Sequence, residues 1–269
     1  MKKITLLGTP LSQSFAARMQ NAAYKEMNED LEYSYTECDN EQLPGNIERV
    51  KGDDFIGCAV TKPNKIKVLE YLDELDPLCA KIGSSNTVVK KEGKLIGYNT
   101  DALGFYQSIE PHIDVQGKTF FCIGAGGVAR AIVAILLERG AKKVYVTDMY
   151  MDFANSLADA FENCEAVSTC EKVTECEGVI NASGVGMGKS VGKSPVDPAL
   201  LNASQFCFDA CYNPAKTQFL LDAEEKGCKI LNGLDMSLYQ GAIQIELWTG
   251  KKAPVDRMRK ELDDILSGK

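Results

Sequence analysis

Apolar positions along this chain fall into two alternating patterns. Short apolar or alternating runs, closed off by glycine, asparagine or aspartate, predict strands at residues 3–7, 32–36, 55–60, 86–90, 94–98, 118–123 and 143–147. Longer stretches with apolar residues every third or fourth position predict helices at 15–27, 65–71, 77–82, 102–108, 129–137, 237–248 and 254–266. Glu92 and Gly93 separate two of the strands and predict a hairpin there. Strands alternating with helices predict an α/β protein. No internal repeat or low-complexity tract interrupts the alternation.

One junction is more specific than the rest. The run at 118–123 leads into Gly124, Ala125, Gly126, Gly127 and Val128, which open the helix at 129–137; the next strand ends on Asp148. Glycines there let the chain turn tightly and bring backbone N–H groups to a pyrophosphate at a helix N-terminus. An acidic residue beyond the second strand suits a ribose 2′-hydroxyl. Glycine turns also join strands to helices that bind nothing. Strand, helix, second strand and terminal acid in that order favour a Rossmann-type dinucleotide-binding domain. The long segment before the loop is left to supply a substrate site. The expected division is 1–101 for substrate binding and catalysis and 102–235 for NAD(P) binding, with helices in 236–269 packing on the N-terminal domain.

Composition narrows the function classes. At 269 residues the chain can build two cores, and a net charge of -8 argues against nucleic acid or anionic membranes as partners. Neither end reads as a signal peptide, and no apolar run approaches the ~20 residues that span a bilayer. The ten cysteines include no Cys-x-x-Cys pair. Cys58, Cys122 and Cys207 lie in apolar runs, where cysteine acts as a small hydrophobe. Free thiols in a reducing cytoplasm are expected, with a Cys207–Cys211 redox pair as the alternative to buried filler. The one histidine, His112, reads as a solvated loop residue. Serine–histidine hydrolysis and histidine-based zinc sites are therefore disfavoured and no metal is expected. Acid/base work near neutral pH falls to Lys, Asp, Glu, Tyr or Cys.

Seven blocks then occur in order: Gly8-Thr9-Pro10 with Ser14; Val60-Thr61-Lys62-Pro63-Asn64-Lys65; residues 82–89 around Asn86; residues 97–105 around Asp101; residues 181–187 from Asn181; residues 209–214 with Tyr212; and Gly233 through Gln240. Through them the chain resembles the shikimate dehydrogenase family over nearly its whole length. The resemblance implies an NAD(P)-dependent oxidoreductase that interconverts shikimate, or a quinate-like alicyclic hydroxy acid, with its 3-dehydro ketone, as in the chorismate pathway of aromatic amino acid biosynthesis. It implies Lys65 and Asp101 as catalytic residues and Ser14, Thr61, Asn86, Tyr212 and Gln240 as substrate contacts. It places Gly124, Ala125, Gly126, Gly127, Val128, Asp148, Met149, Asn181 and Gly233 at the cofactor, in a monomer or homodimer.

On spacing alone, Lys65 is a solvated lysine starting a helix and Asp101 a cap. The match at both positions favours chemistry instead, with Lys65 exchanging the hydroxyl proton and Asp101 orienting the ammonium. Two regions depart from the family pattern. At the substrate end, Ala16 stands for the second serine of the carboxylate loop, Ala59 for an asparagine, and Gln13 and Gln20 for histidines. Each lost hydrogen bond to a carboxylate is worth roughly 1.5–3 kcal/mol, so looser shikimate binding is expected. Arg18 is either a replacement carboxylate partner or a solvated helical arginine. At the cofactor end, Asp148-Met149-Tyr150 stands for Asn-Arg-Thr of members that use the phosphorylated nucleotide. A carboxylate in place of the asparagine, with no arginine beside it, repels a 2′-phosphate, so NAD is expected over NADP. The alternatives are another alicyclic or folate-linked substrate on the same scaffold, or a metabolite-binding protein without turnover. A binding protein has no use for a proton relay.

Overall fold

A computed structural model describes residues 1–12 and 14–267. From the N-terminus the elements run β1 (Lys2–Gly8), α1 (Ala16–Glu26), β2 (Leu31–Glu37), α2 (Leu43–Lys51), β3 (Phe55–Val60), β4 (Glu74–Leu75), α3 (Pro77–Ile82), β5 (Thr87–Lys91), β6 (Lys94–Tyr98) and α4 (Thr100–Ile109). They continue through β7 (Thr119–Ile123), α5 (Gly127–Glu138), β8 (Lys143–Thr147), α6 (Met151–Asp159), β9 (Cys164–Ala166), β10 (Gly178–Asn181), β11 (Phe206–Asp209), α7 (Gln218–Glu225), β12 (Lys229–Asn232), α8 (Leu234–Thr249) and α9 (Val255–Leu266). The chain divides into two compact units, Met1–Leu103 with Leu238–Lys269, and Gly104–Ser237.

In the first unit the sheet order is β2-β1-β3-β5-β6-β4. β1 lies parallel between β2 and β3, and β5 runs antiparallel to both β3 and β6. The β5–β6 connection is the hairpin the sequence predicts, with Glu92 and Gly93 both at positive φ (51° and 79°). Leu7, Leu43, Ile47, Val50, Cys58 and Val60 form part of one apolar cluster of this unit. α8 docks through its Trp248, whose Nε1 donates to the Val88 carbonyl at 3.0 Å. Gly57 permits that approach: a Cβ there would lie 2.1 Å from the Val88 oxygen and 2.7 Å from Trp248 Nε1. α9 packs against α1, where Glu261 takes Arg18 Nε at 2.8 Å and Arg257 at 2.8 Å.

In the second unit all strand pairs are parallel, in the order β12-β11-β10-β7-β8-β9. Its central strands are near-continuous apolar runs, as parallel sheets covered on both faces require; Phe120, Phe121 and Cys122 of β7 are fully buried. The direction of winding reverses between β7 and β10. Outside the carboxyl ends of those two strands lies the crevice where doubly wound sheets bind ligands.

The structure departs from the local expectations in several places, α6, α7 and β9 to β12 also being elements that the sequence pattern leaves out. The helix predicted from residue 65 is a tight 3-10 turn confined to Lys67–Tyr71, following turns through the preceding residues. α2, absent from the elements the sequence pattern predicts, is real and buries Leu43, Ile47 and Val50. All ten cysteines are free, and burial pushes the thiols of Cys58, Cys122 and Cys207 well above their ordinary range. His112 is exposed and stacks on Phe206. No helix among the described residues is long and apolar enough to cross a membrane.

Candidate active site

Two crossing backbone bonds tie the loops after β1 and β3 together in the first unit. Thr61 N–H donates to the Leu7 carbonyl at 2.9 Å, and Thr9 N–H donates to the Lys62 carbonyl at 3.0 Å. Gly8 is required for this, because a Cβ there would sit 2.4 Å from Thr61 Cγ2. The turn that follows, closed by Asn64 N–H on the Thr61 carbonyl at 2.9 Å, presents Lys65. Lys65 Nζ donates to Asp101 Oδ2 at 2.5 Å, and the two side chains are only 14% and 10% exposed. Asp101 lies within the first turn of α4 instead of capping it. Its other oxygen, Oδ1, accepts from Asn86 Nδ2 at 2.9 Å. Asn86 is itself fixed, its Oδ1 accepting from Thr100 N–H at 2.7 Å and from the Thr87 hydroxyl at 2.9 Å. Gln240 Oε1 lies 3.4 Å from Asn86 Nδ2. Lys65, Asp101, Asn86 and Gln240 thus form one cluster, with Thr61 at the head of the lysine's turn. A shielded lysine nitrogen on a doubly held carboxylate is placed to pass a proton at a fixed point, giving one as the ammonium or taking one as the amine.

Ser14 belongs to the segment entering α1. Its hydroxyl accepts from Ala16 N–H at 3.3 Å. Two residues that sequence reasoning missed organise this segment. The Tyr35 hydroxyl donates to the Ser14 carbonyl at 2.7 Å and accepts from Ala17 N–H at 2.9 Å. Glu37 accepts from Leu11 N–H at 2.8 Å, and a hydrogen bond from Thr9 with that amide holds its carboxyl below the usual range. Both partners come from β2, and no local pattern links them to the loop. Ala59 is buried within β3. Arg18 pairs with Glu261 at 2.8 Å. Gln13 lies outside the described residues.

The second unit holds the glycine loop. Gly124 has φ of 104°, and a Cβ there would lie 2.8 Å from the Ala182 carbonyl. At Gly126, the extended residue before α5, a Cβ would meet nothing within 4 Å. Among the described residues, the N–H groups of Gly126, Gly127 and Val128 have no acceptor, as expected for a helix start. Ala125 N–H is taken by Asp148 Oδ2 at 2.8 Å. Met149 beyond it is 86% exposed. Asn181, at the end of β10, donates to Val185 (2.8 Å) and Asp209 (3.0 Å), while its oxygen accepts from Ser183 Oγ (2.6 Å). Its amide therefore shapes the loop after β10. Burial raises the Asp209 carboxyl above its ordinary range, against hydrogen bonds from Thr217, Cys211 and Asn181 that lower it. Tyr212 follows β11, and Gly233 packs so closely that a Cβ would lie 2.2 Å from the Ala210 carbonyl.

Family models for the shikimate dehydrogenase substrate binding domain and the shikimate 5'-dehydrogenase C-terminal domain match residues 6–88 and 233–262. A Bacillus cereus (strain G9842) protein named shikimate dehydrogenase (NADP(+)) is 38% identical over 98% of this chain and 98% of its own. The chain belongs to the shikimate dehydrogenase family. Among solved members, the Thermus thermophilus shikimate 5-dehydrogenase in complex with NADP(H) and shikimate is 33% identical, with a TM-score of 0.90 over 98% of this chain and 99% of that one. The Listeria monocytogenes enzyme in complex with shikimate and NAD is 31% identical, with a TM-score of 0.90 over 97% and 96%. Members are oxidoreductases with this two-domain α/β fold. Ser14, Thr61, Lys65 and Asn86 lie in the span matched by the family's substrate-binding model, and Gly233 and Gln240 in that of its C-terminal model.

Proposed function

We propose that the chain is an NAD-preferring dehydrogenase acting on shikimate or a quinate-like alicyclic hydroxy acid, with Lys65 and Asp101 as its proton-transfer pair. The observation that carries this is the shielded 2.5 Å contact between Lys65 Nζ and Asp101 Oδ2, backed by Asn86 on the far oxygen. In ketone reduction, Lys65 donates its Nζ proton to the carbonyl oxygen as that oxygen becomes a hydroxyl. In alcohol oxidation, the same nitrogen takes the hydroxyl proton. Asp101 holds the ammonium in one place for both directions, which is the positioning that acid/base catalysis needs. Ser14, Thr61, Asn86, Tyr212 and Gln240 are assigned to the substrate's hydroxyl and carboxylate groups. The first unit carries the chemistry.

The nucleotide is assigned to the second unit. Open space at Gly126 and the acceptor-free N–H groups of Gly126, Gly127 and Val128 fit a pyrophosphate. When bound, the nicotinamide supplies the hydride acceptor or donor. Asp148, with Met149 exposed beside it, favours a ribose diol over a 2′-phosphate. The strand's lysine, Lys143, stands at the opposite end of β8, paired with Glu165. This preference would set the chain apart from its Bacillus cereus relative, which is named for NADP(+).

The test is a nucleotide-reduction assay over shikimate, quinate and amino-substituted analogues, each with NAD and with NADP. Turnover of shikimate or quinate with NAD is expected. Turnover of neither, with an amino-substituted analogue accepted, would move the assignment to another substrate on this scaffold.

A further inference from the structure

Behind the lysine–aspartate cluster, a line of buried polar side chains crosses from α4 through β5 and α8 to α1. Asn86 and Gln244 are 3% exposed, and Thr87 and Gln20 are fully buried. Asn86 Nδ2 donates to Asp101 Oδ1 at 2.9 Å, and the Thr87 hydroxyl reaches Asn86 Oδ1 at 2.9 Å. Gln244 Nε2 donates to that hydroxyl at 2.9 Å, and Gln20 Nε2 donates to Gln244 Oε1 at 3.2 Å.

The direction of every bond is fixed by neighbours that have only one hydrogen-bonding sense. Thr100 N–H can only donate, so the Asn86 oxygen faces it at 2.7 Å and the Asn86 nitrogen faces the carboxylate. The Asn86 and Gly241 carbonyls can only accept, so they fix the nitrogens of Gln244 (3.4 Å) and Gln20 (3.2 Å). With Gln244 donating to it, the Thr87 hydroxyl has its proton free for Asn86. All four donors therefore point the same way, toward Asp101. Such a chain polarises each successive bond and strengthens the last one. It ends at the other extreme on Gln20 Oε1, which is buried with no partner among the described residues. The line is coupled from end to end: Gln20 Nε2 is the donor to Gln244 Oε1, and Gln244 Nε2 in turn is a donor to the Thr87 hydroxyl.

We propose that Gln244 and Gln20 are positioning residues for the Lys65–Asp101 pair, holding Asp101 through Thr87 and Asn86 so that Oδ2 is presented to the lysine alone. The inference rests on the proton-transfer role assigned to that pair. Without Gln244, the Thr87 hydroxyl is free to turn to Thr100 Oγ1, 3.3 Å away, and Asn86 loses one of the donors that hold its plane.

The experiment is a double-mutant cycle on the whole chain with shikimate and NAD, and with unfolding midpoints measured for each variant. Gln244→Leu should lower kcat about tenfold, the scale of a small misplacement of a catalytic group, with KM for NAD unchanged. Added to Asp101→Asn, it should cost nothing further, because its effect passes through Asp101. Gln20→Leu, which leaves Gln244 in place, should give a smaller loss in the same direction and serves if Gln244→Leu fails to fold. Parental kcat in both leucine variants, or a loss that multiplies with that of Asp101→Asn, overturns the inference. If Lys65→Ala and Asp101→Asn themselves retain parental kcat, the pair's role has failed and the inference falls with it. If those two lose activity and the leucine variants do not, only the inference falls.

Discussion

The backbone N–H of Ala125 donates to Asp148 Oδ2 at 2.8 Å, while Asp148 Oδ1 accepts from Tyr150 N–H at 2.9 Å. One half-buried carboxylate thus braces both the glycine loop after β7 and the turn after β8. With the nucleotide placed as proposed, Asp148 has two separable effects, one on loop geometry and one on the charge met by a 2′-phosphate. The parent should favour NAD over NADP in kcat/KM by about a hundredfold or more, since a like-charge juxtaposition costs several kcal/mol. Asp148→Asn with Met149→Arg should narrow or reverse that ratio. Asp148→Ala should raise KM for both nucleotides, because the brace is lost whichever is bound. Steady-state kinetics with each nucleotide checks this. Equal or better use of NADP by the parent would count against the assigned preference.

Removing the proposed proton carrier should lower turnover sharply and leave binding nearly unchanged. Lys65→Ala should lower kcat by roughly 10²–10⁴-fold, with nucleotide affinity measured by titration left unchanged. Asp101→Asn should also lower kcat, since a neutral amide orients the ammonium less firmly. Near-parental turnover in Lys65→Ala would return the lysine to an ordinary surface role.

The docking of α8 on β5 depends on an absent side chain. Gly57→Ala would place a methyl 2.1 Å from the Val88 carbonyl and 2.7 Å from Trp248 Nε1, so backbone or helix must shift. Overpacking of this kind costs roughly 1–3 kcal/mol, and the unfolding midpoint should fall by several degrees. Trp248→Phe removes only the 3.0 Å hydrogen bond and some contact, so it should cost less. Thermal unfolding of the two variants ranks them. A Gly57→Ala midpoint equal to the parent's would show that the sheet yields there without penalty.

What was legible in the sequence follows from how local each signal is. The strands β1, β3, β7 and β8 are apolar runs with glycine or aspartate at their ends, and the β5–β6 turn is specified by two adjacent residues. The glycine loop is equally local, one segment between a strand and a helix. α2 carried a usable signal, with Pro44 in its first turn and Leu43, Ile47 and Val50 at helical spacing, but Gly45 beside the proline reads as a turn. The short strands β10 and β11 are four residues each, too brief for periodicity to separate from loop. In the site, Lys65 and Asp101 are 36 positions apart, and only the resemblance to a family linked them. Tyr35 under Ser14, and Gln20 against Gln244 across 224 positions, lie beyond any pattern in the chain, because tertiary packing alone brings them together.

The substrate end offers the sharpest single-residue test. Ala16 opens α1, two residues after Ser14, whose hydroxyl accepts from the Ala16 N–H at 3.3 Å. Ala16→Ser should lower KM for shikimate by about ten- to a hundredfold, the worth of one hydrogen bond to a charged group, and leave kcat nearly unchanged. That split is expected because a carboxylate remote from the reacting carbon is bound alike in ground and transition states. A kcat that changes in step with KM would mean the new hydroxyl alters how the reacting carbon is placed. If Ala16→Ser abolishes turnover of the best substrate, that substrate has something bulkier or less polar than a carboxylate at this end. A low KM for shikimate in the parent would instead mean that Ser14, in the segment pinned by Tyr35 and Glu37, suffices without a second hydroxyl.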